Sequence, residues 1–120
     1  MALASLGLIT IDCADPTALA DFWVKLLGGE VAYTGPDVVM VRSERGSLAA
    51  VRVADYRPPT WPDDTVPKQM HLDLIVEDLD AAETEAIRLG ARRADEQPNP
   101  EKWRVMLDPS GHPFCLCDWS

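Results

Sequence analysis

Two residues of the segment Met70-His71-Leu72-Asp73-Leu74-Ile75-Val76 could do chemistry, and their spacing says which. Apolar and polar residues alternate here with the period of two that marks a half-buried strand. Met70, Leu72, Leu74 and Val76 then face a helix, while His71, Asp73 and Ile75 face the other way. An imidazole and a carboxylate on one face suit general acid or base catalysis, because the carboxylate stabilises a proton held on the ring. The segment from Gly7 to Cys13 has the same alternation: Gly7, Ile9, Ile11 and Cys13 face the core, and Leu8, Thr10 and Asp12 the opposite side. His71, Asp73 and Asp12 are therefore the catalytic candidates.

Cys115 and Cys117 alternate onto one face of another extended run. Trp61, Trp103 and Trp119 fall outside any helical stripe, where an aromatic face supplies contact area at low entropic cost. Leu8, Thr10, His71, Trp61, Trp103 and Cys115 make up the expected ligand-binding set. Plainer roles stand beside these: His71 satisfying a backbone carbonyl, Asp12 and Asp73 solvated, the two cysteines acting as small hydrophobes, and His112 shaping a turn. No Gly-rich phosphate loop, serine nucleophile elbow or paired-cysteine zinc signature occurs, which excludes kinases, dinucleotide enzymes and zinc fingers.

The elements that must position these residues follow one pattern used twice. Asp15 can cap a helix that begins at Pro16, and Leu19, Phe22, Trp23, Leu26 and Leu27 recur at helical spacing up to Gly28-Gly29. The strand before that helix is expected over Ser5 to Cys13; those after it over Glu30 to Thr34, Val38 to Arg42 and Leu48 to Val53. The order then repeats: strand His71 to Val76, cap Asp78, a helical face of Leu79, Ala82, Ala86 and Leu89, and the stop at Gly90. Strands follow at Arg92 to Asp95, Trp103 to Leu107 and Pro113 to Cys117, the last two joined by the turn Asp108-Pro109-Ser110-Gly111. Asp15 and Asp78 are 63 apart, and Gly28 and Gly90 are 62 apart, so the chain is an internal duplication.

The modules run over about 4–53 and 69–119, with a proline-dense crossover over 54–68 holding Pro58, Pro59, Pro62 and Pro67. Each is too small to bury a helix and a sheet well by itself, so a single domain over 1–120 with a shared core is expected. The acidic stretch Glu77, Asp78, Asp80, Glu83 and Glu85 reads as a helix cap and a solvated helix face.

Twenty Asp and Glu against 11 Lys and Arg give a net charge of -9, which disfavours nucleic acid and anionic membranes as partners. Apolar runs fall short of the roughly 20 residues of a membrane span. Met1 to Leu8 lacks the basic start of a signal peptide, and 3 cysteines suit a reducing compartment, so a cytoplasmic location is expected.

Asp15-Pro16 leading to Phe22-Trp23 and Leu26-Leu27-Gly28, His71-Leu72-Asp73-Leu74 before Asp78-Leu79-Asp80, and Asp108-Pro109-Ser110-Gly111 before the last strand resemble the vicinal oxygen chelate superfamily. That superfamily includes glyoxalase I, bleomycin-resistance proteins, extradiol dioxygenases and fosfomycin-resistance enzymes. Tyr56 to Pro62, followed by Gln69-Met70-His71, is similar to small glyoxalase-like proteins of actinobacteria. The resemblance implies an α+β fold: two βαβββ modules forming one curved, mainly antiparallel eight-stranded sheet around a cleft, with helices outside. It also implies a divalent metal ligated by His, Gln or Glu from the first and last strands of each module.

Carried over position by position, that ligand set is incomplete. His71 stands seven residues before Asp78, but seven before Asp15 is Leu8. Four residues after Gly111 is Cys115; four after Gly46 is Ala50, or Val51 with a one-residue change of register. Leucine, alanine and valine carry no donor atom, and His71 with Cys115 does not satisfy an octahedral oxygen-rich ion. No cofactor is therefore expected, with a divalent metal on His71 and Cys115 as the alternative. The expected function is binding of a small hydrophobic or aromatic molecule in the cleft. The alternatives are a lyase or isomerase using His71 with a neighbouring carboxylate, or a metal-dependent glyoxalase- or dioxygenase-type enzyme with an atypical site. Expected partners are a small molecule and a second copy in a homodimer.

Overall fold

In the first half of the chain, Ile9, Ile11 and Cys13 turn inward while Thr10 and Asp12 stay exposed, as the period of two requires. The computed structural model describes residues 2–120, and the chain divides into a unit ending at Tyr56 and a unit beginning at Arg57.

The first unit contains β1 (Ile9–Cys13), α1 (Pro16–Leu27), β2 (Glu30–Thr34), β3 (Val38–Ser43) and β4 (Gly46–Arg52). Strand β1 starts four residues later than Ser5, because its parallel ladder begins where Ile9 meets Leu48 and a strand needs a partner as well as a pattern. Asp15 is extended and its carboxylate accepts from the Ala18 amide at 3.1 Å, while Gly28 closes the helix in the left-handed region at φ 72°. Leu19, Ala20, Phe22 and Trp23 are buried, and the rings of Phe22 and Trp23 meet edge-on with centroids 5.2 Å apart. Helix α1 packs on β3 and β4. The ladder registers put Val41, Leu48 and Ile9 in one row and Val39, Ala50 and Ile11 in the next, on the side opposite Thr10 and Asp12.

The sheet order is β1-β4-β3-β2, with β1 and β4 parallel and the other neighbours antiparallel. Gly29 lets β2 leave the helix beside β3: a Cβ there would stand 2.4 Å from the Arg42 carbonyl oxygen. Gly29→Ala should therefore destabilise the fold by about 1–3 kcal/mol, measured as a fall in the urea midpoint at unchanged slope. A midpoint equal to that of the parent chain would refute the close approach.

The second unit repeats this topology with β5 (Leu72–Ile75), α2 (Leu79–Leu89), β6 (Arg92–Arg93), β7 (Trp103–Leu107) and β8 (Pro113–Cys117), in the order β5-β8-β7-β6. The fold is thus α+β with two βαβββ modules, and its eight strands pair as two mixed sheets of four. Asp78 caps α2 through the Ala81 amide at 3.0 Å. In the crossover, the Thr60 amide donates to the Val66 carbonyl and the Thr60 hydroxyl accepts from the Val66 amide, closing a loop that holds Trp61 and a cis Trp61–Pro62 bond.

Two expectations are corrected in α2 and the strands that follow it. Strand β6 stops at Arg93 instead of Asp95, because the side chain of Gln97 takes over the edge of β7. Its amide nitrogen donates to the Ala94 and Val105 carbonyls at 2.9 and 2.8 Å, and its oxygen accepts from the Val105 amide at 2.9 Å. The acidic face of α2 is not merely solvated. Arg104 of β7, its side chain only 16% exposed, is held by Asp80 at 2.7 Å and Glu83 at 3.4 Å, and Arg93 of β6 reaches Glu83 at 3.3 Å. These pairs tie α2 to β6 and β7.

Candidate functional site

Of the two inner strands of the second sheet, β8 pairs in parallel with β5 and antiparallel with β7. Its register sets Asp73, Cys115 and Val105 side by side, and Ile75, Cys117 and Trp103 in the next row of the same face. His71 lies one residue ahead of the β5 ladder, not inside it as expected, but two before Asp73 and on the same side. Its Nε2 is 3.1 Å from Asp73 Oδ1, with the two side chains 38% and 42% exposed. One donor atom each from His71, Asp73 and Cys115 lies within 4.8 Å of the other two. Trp61, half-buried, packs against the apolar cluster of Ala94, Val105, Cys115 and Cys117 that borders this triad.

Electrostatics fix the state of the thiols. Burial, then the Asp73 charge, the neighbouring Cys117 and a hydrogen bond to Asp73, push Cys115 up to about 12, with only Lys68 pulling the other way. Burial and Asp73 raise Cys117 as well, against a hydrogen bond from Trp119. In the metal-free protein Cys115 is thus a neutral thiol beside a carboxylate, unsuited to nucleophilic attack.

The structure brings together His71, Asp73, Cys115 and Trp61, and it places Trp103 on the same face, partly exposed. Leu8, Thr10 and Asp12 lie exposed in the first unit. There Thr10 pairs with Ala49 as Asp73 pairs with Cys115, so Ala49 is the counterpart of the cysteine. Ala50 falls on the helix-covered face with Ile11, because the first module's turn reaches its last strand one residue sooner. Sequence reasoning treated Asp73 only as an acid–base partner. Its place between His71 and Cys115 depends on the β5–β8 register, which no spacing within one strand reveals.

Residues 8–117 match the family described as glyoxalase-like domain. The chain belongs to that family. This glyoxalase-like chain shares its fold with a fosfomycin resistance protein from Mesorhizobium loti, at TM-score 0.73 and 12% identity, covering 99% of this chain and 94% of the other. It is similar as well to a bleomycin-binding protein from Streptomyces verticillus complexed with copper(II)-bleomycin, at TM-score 0.62 and 21% identity over 99% and 100%. A glyoxalase-related enzyme from Fulvimarina pelagi superposes at TM-score 0.69 and 18% identity over 97% and 88%. Among curated proteins no sequence match is found. No helix of the described residues is long and apolar enough to cross a membrane.

The metal implied by the vicinal oxygen chelate superfamily can be tested against this glyoxalase-like site. A set drawn from both modules does not fit, since Leu8 and Ala49 offer no donor. Within the second unit, the nitrogen, oxygen and sulfur of His71, Asp73 and Cys115 do fit a metal that accepts thiolate. Such an ion, when bound, would supply Lewis acidity toward an oxygen of a ligand.

Proposed function

We propose that this glyoxalase-like protein binds a small hydrophobic or aromatic molecule on the face of the second sheet that carries His71, Asp73 and Cys115. The observation that carries this reading is the position of Trp61, half-buried over Ala94, Val105, Cys115 and Cys117, with a polar triad at its border. Apolar walls with a few convergent polar groups are the usual make-up of a small-molecule site. Ile75, 69% exposed, and Trp103 extend the apolar area on the same face. That a bleomycin-binding protein has the same fold supports a small molecule as the ligand. The net charge of -9 favours neutral or cationic molecules over anions.

Titration of the protein with a panel of neutral and cationic aromatic compounds, followed by tryptophan fluorescence, tests this. At least one compound should give a saturable response, and Trp61→Ala should weaken it about tenfold or more, as loss of an aromatic anchor does. Silence across the panel, or binding indifferent to Trp61→Ala, counts against the reading.

A second reading, a lyase or isomerase of the vicinal oxygen chelate type, is favoured by the 3.1 Å approach of His71 Nε2 to Asp73 Oδ1. In it His71 is the general acid or base and Asp73, 3.1 Å from its Nε2, orients the ring. Turnover of a bound compound abolished by His71→Gln, with its binding retained, would separate this reading from simple sequestration.

A further inference from the structure

We infer that Ile75, Trp103 and Trp119, set around Cys117 at the end of the β5–β8 ladder away from His71, take the alkylated ammonium group of a small organic cation. The inference rests on the small-molecule reading above and names the charged part of the ligand.

Ile75, Cys117 and Trp103 form one row across β5, β8 and β7. Cys117 is 3% exposed, whereas Ile75 and Trp103 on its two sides are 69% and 37% exposed. Trp119, 65% exposed, stands two residues past Cys117, and its indole N–H donates to the Cys117 sulfur, which keeps the ring on this face. The backbone beneath the indoles is held in place. The Asp118 amide donates to the Lys102 carbonyl at 2.9 Å, and the Asp118 carboxylate accepts from the Ser120 amide at 2.9 Å. The first of these bonds continues the β7–β8 pairing past Cys117, so Trp103 and Trp119 are diagonal neighbours on adjoining segments, a spacing that aromatic side chains span. Trp61, packed on the apolar cluster that includes Cys117, adds a third indole.

Charge and hydrogen-bonding capacity together select the ligand group. The carboxylate in the adjoining row is Asp73, whose charge and hydrogen bond both act on the Cys117 sulfur. Indole faces beside a carboxylate attract a cation, the rings through their quadrupoles and the carboxylate through its charge. The net charge of -9 acts in the same direction, and the positive charge of Lys102, next to Trp103, acts on Asp118. Acceptors are scarce, because Asp73 Oδ1 already lies 3.1 Å from His71 Nε2 and an indole N–H only donates. A primary ammonium would bring three N–H donors that lose water without replacement. An ammonium carrying alkyl groups has few donors or none, and its apolar shell packs on Ile75 and the indole faces.

The test is a chemical-shift titration of the nitrogen-labelled full chain, read at the indole N–H signals of Trp103 and Trp119. Choline is the probe, and dimethylbutanol, in which carbon replaces the ammonium nitrogen, is its uncharged counterpart. Choline should shift both indole signals saturably and bind at least about fivefold more tightly than dimethylbutanol, the scale of a cation–π contact. Trp119→Leu, at an exposed position beyond the last strand, should remove most of that preference while the backbone amide spectrum keeps its dispersion. Asp73→Asn should weaken choline and leave dimethylbutanol unchanged. Absence of saturable indole shifts with choline, equal affinity for the two compounds, or a preference unaltered in both variants would each overturn the ammonium assignment. None of these outcomes touches the Trp61-dependent fluorescence response to aromatic compounds, on which the small-molecule reading holds or fails separately.

Discussion

In chelator-treated native protein at pH 8, iodoacetamide should modify Cys115 about a thousandfold more slowly than an unperturbed thiol. The reagent attacks the thiolate, and moving the group from 9.0 to about 12 cuts the thiolate fraction at that pH by about three powers of ten. Burial is the first cause and the Asp73 carboxylate the second, so Asp73→Asn should recover part of the rate while the cysteine stays buried. The same shift sets the sign of a pH dependence. The folded protein holds the proton that the unfolded chain releases, so the stabilisation from Cys115 is complete below pH 9 and is lost as pH rises from 9.0 toward 12. Peptide-resolved mass spectrometry of alkylation against pH measures the rate, and urea midpoints across that window measure the stability. Alkylation of Cys115 at the rate of a free thiol at pH 8 would show that neither burial nor Asp73 acts as described.

The second large effect is expected at Phe114. This side chain, 1% exposed, sits in the row Leu72–Phe114–Met106 on the helix-covered face of the second sheet, next to Cys115 on β8 and pointing to the opposite side. Cavity formation on Phe114→Ala should cost about 3–5 kcal/mol. Against a total of roughly 5–15 kcal/mol for a native protein, that removes a large share of the stability. Calorimetry or urea unfolding should show it. A loss below about 1 kcal/mol would mean that the site strand is held by something other than this row.

Several parts of the molecule were legible because their causes are local. Asp15 and Asp78 cap helices by reaching amides three residues on, and Gly28 ends α1 because its backbone enters the left-handed region, so both helices appear where the pattern puts them. The face on which His71 and Asp73 point was equally legible, since a strand's period of two belongs to the strand alone. The near-constant offset between modules announced the duplication, and the two sheets share one strand order. Other features depend on partners distant in the chain. Arg104 between Asp80 and Glu83, and Gln97 standing in for a strand at the edge of β7, come from residues that carry no sign of each other in their own neighbourhoods.

The sequence by itself determined which residue types the site can use, a histidine and a carboxylate two apart and a thiol on a later strand. Only the tertiary structure decided that Asp73 and Cys115 are neighbours and that Ala49, not Ala50, is the first module's counterpart. The physical reason is that alternation is set by each strand's own backbone, whereas register is set by the ladder between strands and by the length of the turn that feeds it.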